Sequence, residues 1–245
     1  MIVANGVALH TQRLGAAGSP VVMLHGLLVG SLATWYFTAA PALARRHSVL
    51  LYDLRGHGRS ERATTGYDVA TLAADLGALC DGFSTEPLTL VGHSYGALVA
   101  LRYALDRPGR VARLVLVEAP LPPSRIEELG AFLALPPDGM VAALPAPLRA
   151  LLERGGRRPR RLLEGLAFLA GETTLGRDLA AELDIPDDAL GALRLECRLI
   201  YGSMSSCRPV GDRLLRVIPG ATLRVLEGGH YLPVEAPAAL TEALL

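Results

Sequence analysis

The chain contains no lysine. All twenty-four of its basic residues are arginine, and twenty-four acidic residues bring the net charge to zero. A balanced charge leaves no electrostatic footprint for nucleic acid or for an anionic membrane surface. Cysteine is scarce: Cys80, Cys197 and Cys207 are odd in number and widely scattered, which excludes a disulfide framework and a C-x-x-C metal pair. Cys80 and Cys197 fall in apolar runs and read as small core residues. No apolar run approaches the ~18 residues of a membrane span, and no leader-like apolar segment precedes the first strand. These absences predict a soluble, cytoplasmic protein, and nothing in them implies a metal or organic cofactor. Aromatics are few, and the arginine-only bias with abundant Ala and Leu resembles the product of a GC-rich bacterial genome.

What is present is apolar and periodic. At 245 residues, with 51% hydrophobic residues, the chain can build one large domain, or one domain carrying an insertion. Asn5-Gly6 predicts a hairpin turn between Ile2–Ala4 and Val7–Leu9. Short continuous apolar strands follow at Val21–Leu24, Val49–Tyr52, Leu88–Val91 and Leu114–Val117, separated by helical stretches at Thr34–Arg45, Val69–Cys80 and Ala97–Arg107. Buried strands alternating with helices predict a parallel sheet covered on both faces. The rhythm breaks after Glu118: residues 120–190 hold clustered prolines (Pro120, Pro122, Pro123, Pro136, Pro137, Pro145, Pro147) and helix-like pieces but no strand pattern. It resumes with strands at Leu195–Tyr201 and Thr222–Leu226 and helices near Val210–Val217 and from Ala236. The expected organisation is a core of residues 1–119 and 191–245 with a helical cap inserted at 120–190.

The chemistry centres on Leu90-Val91-Gly92-His93-Ser94-Tyr95-Gly96. A strand running into G-x-S-x-G and then a helix makes a turn too sharp for side chains at its glycines, exposing Ser94 as a nucleophile. A serine hydroxyl needs a base and the base an orienting acid. His230, in Gly228-Gly229-His230-Tyr231 just past the last strand, is the best-placed base among the six histidines. His57 and His93 read as structural, and His10 and His47 have no supporting context. The backbone N–H groups of Leu27 and Tyr95 are candidates for an oxyanion hole, where one donor is worth ~2.7–4 kcal/mol.

Leu24-His25-Gly26, Asp53-Leu54-Arg55-Gly56-His57-Gly58-Arg59-Ser60, Gly92-His93-Ser94-Tyr95-Gly96 and Gly229-His230 resemble, in order and spacing, the motifs of the α/β-hydrolases. The likeness extends over nearly the whole chain outside the cap. It implies a mostly parallel eight-stranded sheet with a lid entering after the sixth strand.

One position departs from that family. Many of its members carry the triad acid after the seventh strand in a G-x-x-D pattern, whereas here Tyr201-Gly202-Ser203-Met204-Ser205 places serine where aspartate would stand. Either the triad is degraded or its acid comes from elsewhere. Glu118 ends the sixth strand, 24 residues after Ser94 (118 − 94). Certain haloalkane dehalogenases are similar in drawing the acid from this strand end. The expected triad is therefore Ser94–His230–Glu118. In the alternative, Glu118 faces water and Ser205 or Ser206 hydrogen-bonds His230 without a charge.

A serine nucleophile implies acyl transfer, most generally hydrolysis of a carboxylic ester or thioester. A cyclase, lyase or acyl transferase using the same pair, and a non-catalytic binding protein on this scaffold, are the alternatives. His25, Trp35, Phe132, Phe168 and Tyr231 are candidate substrate contacts, with Leu133, Leu135, Met140, Leu166 and Leu169 serving either an acyl pocket or the cap's own core. The basic run Arg154–Arg161 reads as a solvated loop, or as a docking patch for an acyl carrier protein or a CoA phosphate. A monomer acting on a small-molecule acyl substrate is the default expectation.

Overall fold

The computed structural model describes residues 1–121, 131–144, 146–153 and 157–245. Pro122, Pro123 and Pro145 of the proline cluster lie outside these described residues. β1 (Ile2–Ala4) and β2 (Val7–Leu9) form the expected hairpin, with Asn5 and Gly6 at φ 48° and 78°. Two successive positive φ values give the turn a twist that matches that of its flanking strands.

The main sheet comprises β3 (Thr11–Leu14), β4 (Pro20–Leu24), β5 (Ser48–Tyr52), β6 (Leu88–His93), β7 (Val111–Val117), β8 (Glu196–Gly202) and β9 (Thr222–Leu226), in the order β3-β5-β4-β6-β7-β8-β9. Only the β3–β5 pairing is antiparallel. The sheet thus has seven strands where the family resemblance implied eight. The N-terminal hairpin pairs only with itself, and the chain enters the sheet through the polar edge strand β3, whose Thr-Gln-Arg-Leu sequence lacks an apolar run.

Within the central strands, alternate residues feed opposite faces. Val22, Leu24, Leu50, Tyr52, Leu114 and Leu116 pack with α3 (Val69–Phe83) and α4 (Tyr95–Asp106). Val21, Met23, Val49, Leu51, Val115 and Val117 pack with Trp35, Leu43 and the C-terminal helix Pro237–Leu244. Burial on both faces explains why these strands read as unbroken apolar runs. The stretch predicted as one helix over Thr34–Arg45 is instead two short helices, α1 (Ala33–Tyr36) and α2 (Ala40–Leu43). Pro41 causes the break, because it has no N–H to continue a helix but fits the first turn of a new one.

Between β7 and β8 the described residues form the helices Pro137–Ala143, Ala146–Glu153, Arg157–Gly171, Leu175–Ala180 and Asp187–Gly191, with no strand among them. Asp178 and Glu182 fasten the far end of this segment by accepting the N–H groups of Tyr67 and Val69 at the start of α3. Among the described residues no helix is long and apolar enough to cross a membrane.

Candidate active site

The site assembles where the parallel strands end. β6 delivers Ser94 into the turn before α4 at φ 53° and ψ −125°. The flanking glycines are required by space: a Cβ on Gly92 would stand 2.4 Å from the Gly96 carbonyl oxygen, and one on Gly96 would stand 2.4 Å from that of His25. Among the described residues four non-glycines have positive φ. Asn5 belongs to the hairpin, while Leu28, Ser94 and Glu118 all lie at this site. Backbone strain of ~1–3 kcal/mol per residue is retained where surrounding contacts over-determine it, commonly at functional sites.

His230 lies between the two other triad candidates. Its Nε2 is 2.8 Å from Ser94 Oγ and its Nδ1 is 3.1 Å from Glu118 Oε2. Glu118 is wholly buried, and its carboxylate also accepts from the Gly202 N–H and the Ser205 hydroxyl. These donors supply the hydrogen bonds that burial denies the carboxylate from water. Burial works against the His230 imidazolium, but interactions with Cys207 and Glu118 outweigh it and raise the His230 pKa to about 9. His93 lies beneath, donating from Nε2 to the His230 carbonyl at 2.9 Å, and burial lowers its pKa to about 3. Ser205, considered in the sequence as an uncharged partner for His230, instead bonds Glu118, and Ser206 faces the cavity.

Two further histidines brace the loops above the sheet. His25 donates from Nδ1 to the Gly26 carbonyl and accepts the Leu54 N–H on Nε2 at 3.0 Å. His57 donates from Nδ1 to the Arg55 carbonyl and accepts the Leu28 N–H on Nε2 at 3.0 Å. Their rings stand 5.3 Å apart, and burial lowers the His57 pKa to about 3, keeping the ring neutral as this arrangement requires. Asp53 completes the brace by accepting the N–H groups of Leu32 and Arg59. The loop carrying Leu27 and Leu28 is therefore held rigidly against the β5–α3 connection.

A cavity of about 470 Å³ opens in front of Ser94. Leu27 and Tyr95, whose N–H groups are the oxyanion candidates, both line it, as do Phe132 and Tyr231. The remaining wall is chiefly Leu28, Val29, Leu144, Leu148, Pro233 and Val234, with no Arg, Asp or Glu side chain among the described residues. Three expected substrate contacts require correction. His25 is fully buried with both nitrogens bonded to backbone. Trp35 is fully buried and donates Nε1–H to the Leu24 carbonyl at 2.9 Å. Phe168 packs in the main core under the Arg62 guanidinium. None of the three lines the cavity. Leu166, Leu169 and Met140 are also core residues, and Leu135 is exposed. Of the wall residues missed in the sequence, Leu144 and Leu148 carry an apolar i, i+4 signal inside the proline-rich segment.

Of the basic run, residues 154–156 lie outside the described residues and 157–161 begin the helix Arg157–Gly171. Cys80 and Cys197 are buried, and desolvation raises both thiols to about 12, as suits inert core residues.

Comparison with known proteins agrees with this architecture. The chain is 32% identical, over 97% of its length and 94% of the relative's, to a protein of Variovorax paradoxus (strain S110) named "Putative carbamate hydrolase RutD". The crystal structure of a hydrolase from Pseudomonas aeruginosa PA01 superposes with a TM-score of 0.80 at 27% identity, covering 98% of this chain and 94% of that one. Est816, described as an N-acyl homoserine lactone degrading enzyme, superposes with a TM-score of 0.71 at 26% identity, covering 98% of this chain and 96% of its own. A family model described as "alpha/beta hydrolase fold" matches residues 19–190. The chain belongs to the alpha/beta hydrolase fold family.

Proposed function

We propose that the protein is a serine hydrolase acting on an uncharged, largely apolar carboxylic ester, lactone or thioester, through an acyl-enzyme on Ser94. The observation that carries this reading is the hydrogen-bonded line from Ser94 Oγ through His230 to the buried Glu118, facing a cavity walled by apolar side chains. His230 Nε2 takes the Ser94 proton as Oγ attacks the substrate carbonyl. Glu118 holds the proton on Nδ1 and offsets the imidazolium charge that forms. The N–H groups of Leu27 and Tyr95 receive the developing oxyanion. His230 then protonates the departing alcohol or thiol, and water repeats the sequence to release the acid.

The absence of Arg, Asp or Glu from the described wall favours neutral acyl and leaving groups over dicarboxylates within the cavity. The names of the similar proteins support hydrolysis as the reaction class, and that of Est816 supports an ester-type bond. The segment 120–190, whose described residues contribute Phe132, Leu144 and Leu148 to the wall, is assigned the role of cap.

The test is labelling with a fluorophosphonate probe, read by intact mass, on wild type and Ser94→Ala. One adduct on the wild type and none on the variant is the expected result. A folded wild type that does not label overturns the assignment. A panel of neutral and anionic p-nitrophenyl esters then tests the acyl preference, with anionic acyl groups expected to be the poorer substrates.

A further inference from the structure

We propose that Glu118, Cys207 and His230 form an inhibitory binding site for a thiophilic divalent cation, with zinc as the representative ion. One ligand atom from each residue (a carboxylate oxygen, Sγ and a ring nitrogen) lies within 4.8 Å of the other two. Zinc binds thiolate, imidazole and carboxylate tetrahedrally, which sets neighbouring ligand atoms roughly 3.3–3.6 Å apart. Nδ1 of His230 already stands 3.1 Å from Oε2 of Glu118. Seating an ion thus needs closure on the order of 1 Å at the widest pair and a slight opening between Glu118 and His230. Cys207 and His230 both line the cavity, so an ion has a route in from solvent. The thiolate selects soft or borderline ions over magnesium and calcium. Gly202 and Ser205 orient the Glu118 ligand through their hydrogen bonds, the kind of support that metal-binding carboxylates receive.

Binding replaces the Cys207 S–H bond by a sulfur–metal bond and the His230 Nδ1–H bond by a nitrogen–metal bond, and the protons displaced from sulfur and from the imidazolium go to water. Once the Nδ1 lone pair bonds the ion, the single proton of the neutral imidazole resides on Nε2. An Nε2–H facing Ser94 Oγ donates to the hydroxyl and can no longer accept its proton, while Glu118 is held by the metal. The ion therefore silences the base by fixing the wrong tautomer, without covering the serine. This inhibitory consequence rests on the proposed triad; the cation site itself does not.

The experiment titrates the full-length protein with Co²⁺ alone and follows the thiolate-to-cobalt charge-transfer band in the near ultraviolet. The band is expected in the wild type, lost in Cys207→Ser and Cys207→Ala, and displaced by Zn²⁺. Circular dichroism verifies that both variants fold. Cys80 and Cys197 are buried, with thiols raised to about 12, so they do not compete as thiolates. In parallel, Zn²⁺ should slow fluorophosphonate labelling of the wild type by at least about tenfold, reversibly with a chelator. Cys207→Ser, judged against its own zinc-free rate, should need about tenfold more zinc for the same effect. A wild type without the band, or a band that survives in both folded variants, overturns the site. A Cys207-dependent band in a wild type that never labels upholds the site and overturns the serine hydrolase reading instead.

Discussion

The Ser205 hydroxyl donates to the same Glu118 oxygen, Oε2, that faces Nδ1 of His230. Ser205 stands where the family resemblance implies an aspartate, so the proposed triad exchanges the roles of the two strand ends. β7 supplies the charge and the loop after β8 supplies a neutral donor that holds it. The Gly202 N–H, also from the end of β8, binds the other carboxylate oxygen, Oε1.

That exchange can be tested by reversal. Glu118→Gln keeps the shape but removes the charge opposite the imidazolium, and kcat should fall by roughly 10⁴, the cost of neutralising a triad acid. Glu118→Ala combined with Ser205→Asp places a carboxylate at the other strand end, within reach of the same ring. The double variant should recover at least about tenfold over Glu118→Ala alone. Ester hydrolysis measured on the wild type and the three variants decides it, and no recovery would mean that the loop after β8 cannot present an acid to His230.

The pH profile follows from the base. His230 must be unprotonated to accept the serine proton, and its pKa is raised to about 9. Raising the pKa of a base moves the rising limb of kcat/KM upward. With a chelator present, activity should therefore still be climbing above the ordinary histidine range of about 6.5. Glu118→Gln removes one of the interactions that raise the pKa and should shift the limb to lower pH while depressing its plateau. A wild-type limb centred near 6.5, unmoved by the substitution, would contradict the assigned pairing.

Much of this was legible before any coordinates. Gly92, Ser94 and Gly96 encode their turn because only glycine tolerates the contacts around it, so the motif carries its geometry in its residue types. Glu118 could be paired with His230 only through the resemblance to relatives that draw the acid from this strand end; the parallel strands β7, β8 and β9 then bring both residues to one edge of the sheet. Trp35 and His25 misled because sequence proximity to a loop says nothing about which way a side chain turns. Trp35 faces the core, where its indole N–H found the Leu24 carbonyl. Phe168 misled for a related reason: an apolar residue in an inserted segment can pack into the main core as readily as onto a ligand. Cys207 gave no signal at all, because its neighbours Glu118 and His230 lie 89 and 23 residues away (207 − 118 and 230 − 207).

His57 offers a separate test of the loop that carries Leu27. Its Nε2 is the acceptor for the Leu28 N–H, and Leu28 sits at φ 67°. His57→Ala removes that acceptor and frees the strained residue beside an oxyanion donor. A misaimed donor weakens transition-state binding more than ground-state binding. The expected result is a fall in kcat of about 10²–10³ with little change in KM. Equal changes in both parameters would assign His57 to substrate binding instead.

The β5–α3 connection that carries His57 depends on a buried ion pair for its place against α3. Arg55 grips Asp75 with two hydrogen bonds, Nε to Oδ2 at 2.8 Å and Nη2 to Oδ1 at 2.6 Å. Asn5 adds a donor to the same carboxylate, so Asp75 joins the N-terminal hairpin, α3 and the β5–α3 connection at one point. Both partners are nearly inaccessible, with side-chain exposures of 6% and 1%. Asp75→Asn leaves the guanidinium buried opposite a neutral amide, which should cost about 3–5 kcal/mol in urea-induced unfolding. Replacing both residues by apolar ones of similar volume removes the stranded charge and should recover part of that loss. The double variant still forfeits the Arg55 donor to the Thr65 carbonyl, so recovery should be incomplete. It should also loosen the connection that accepts the Leu28 N–H through His57, lowering kcat even where the unfolding midpoint returns. Full recovery of stability with unchanged turnover would show that packing alone positions this loop.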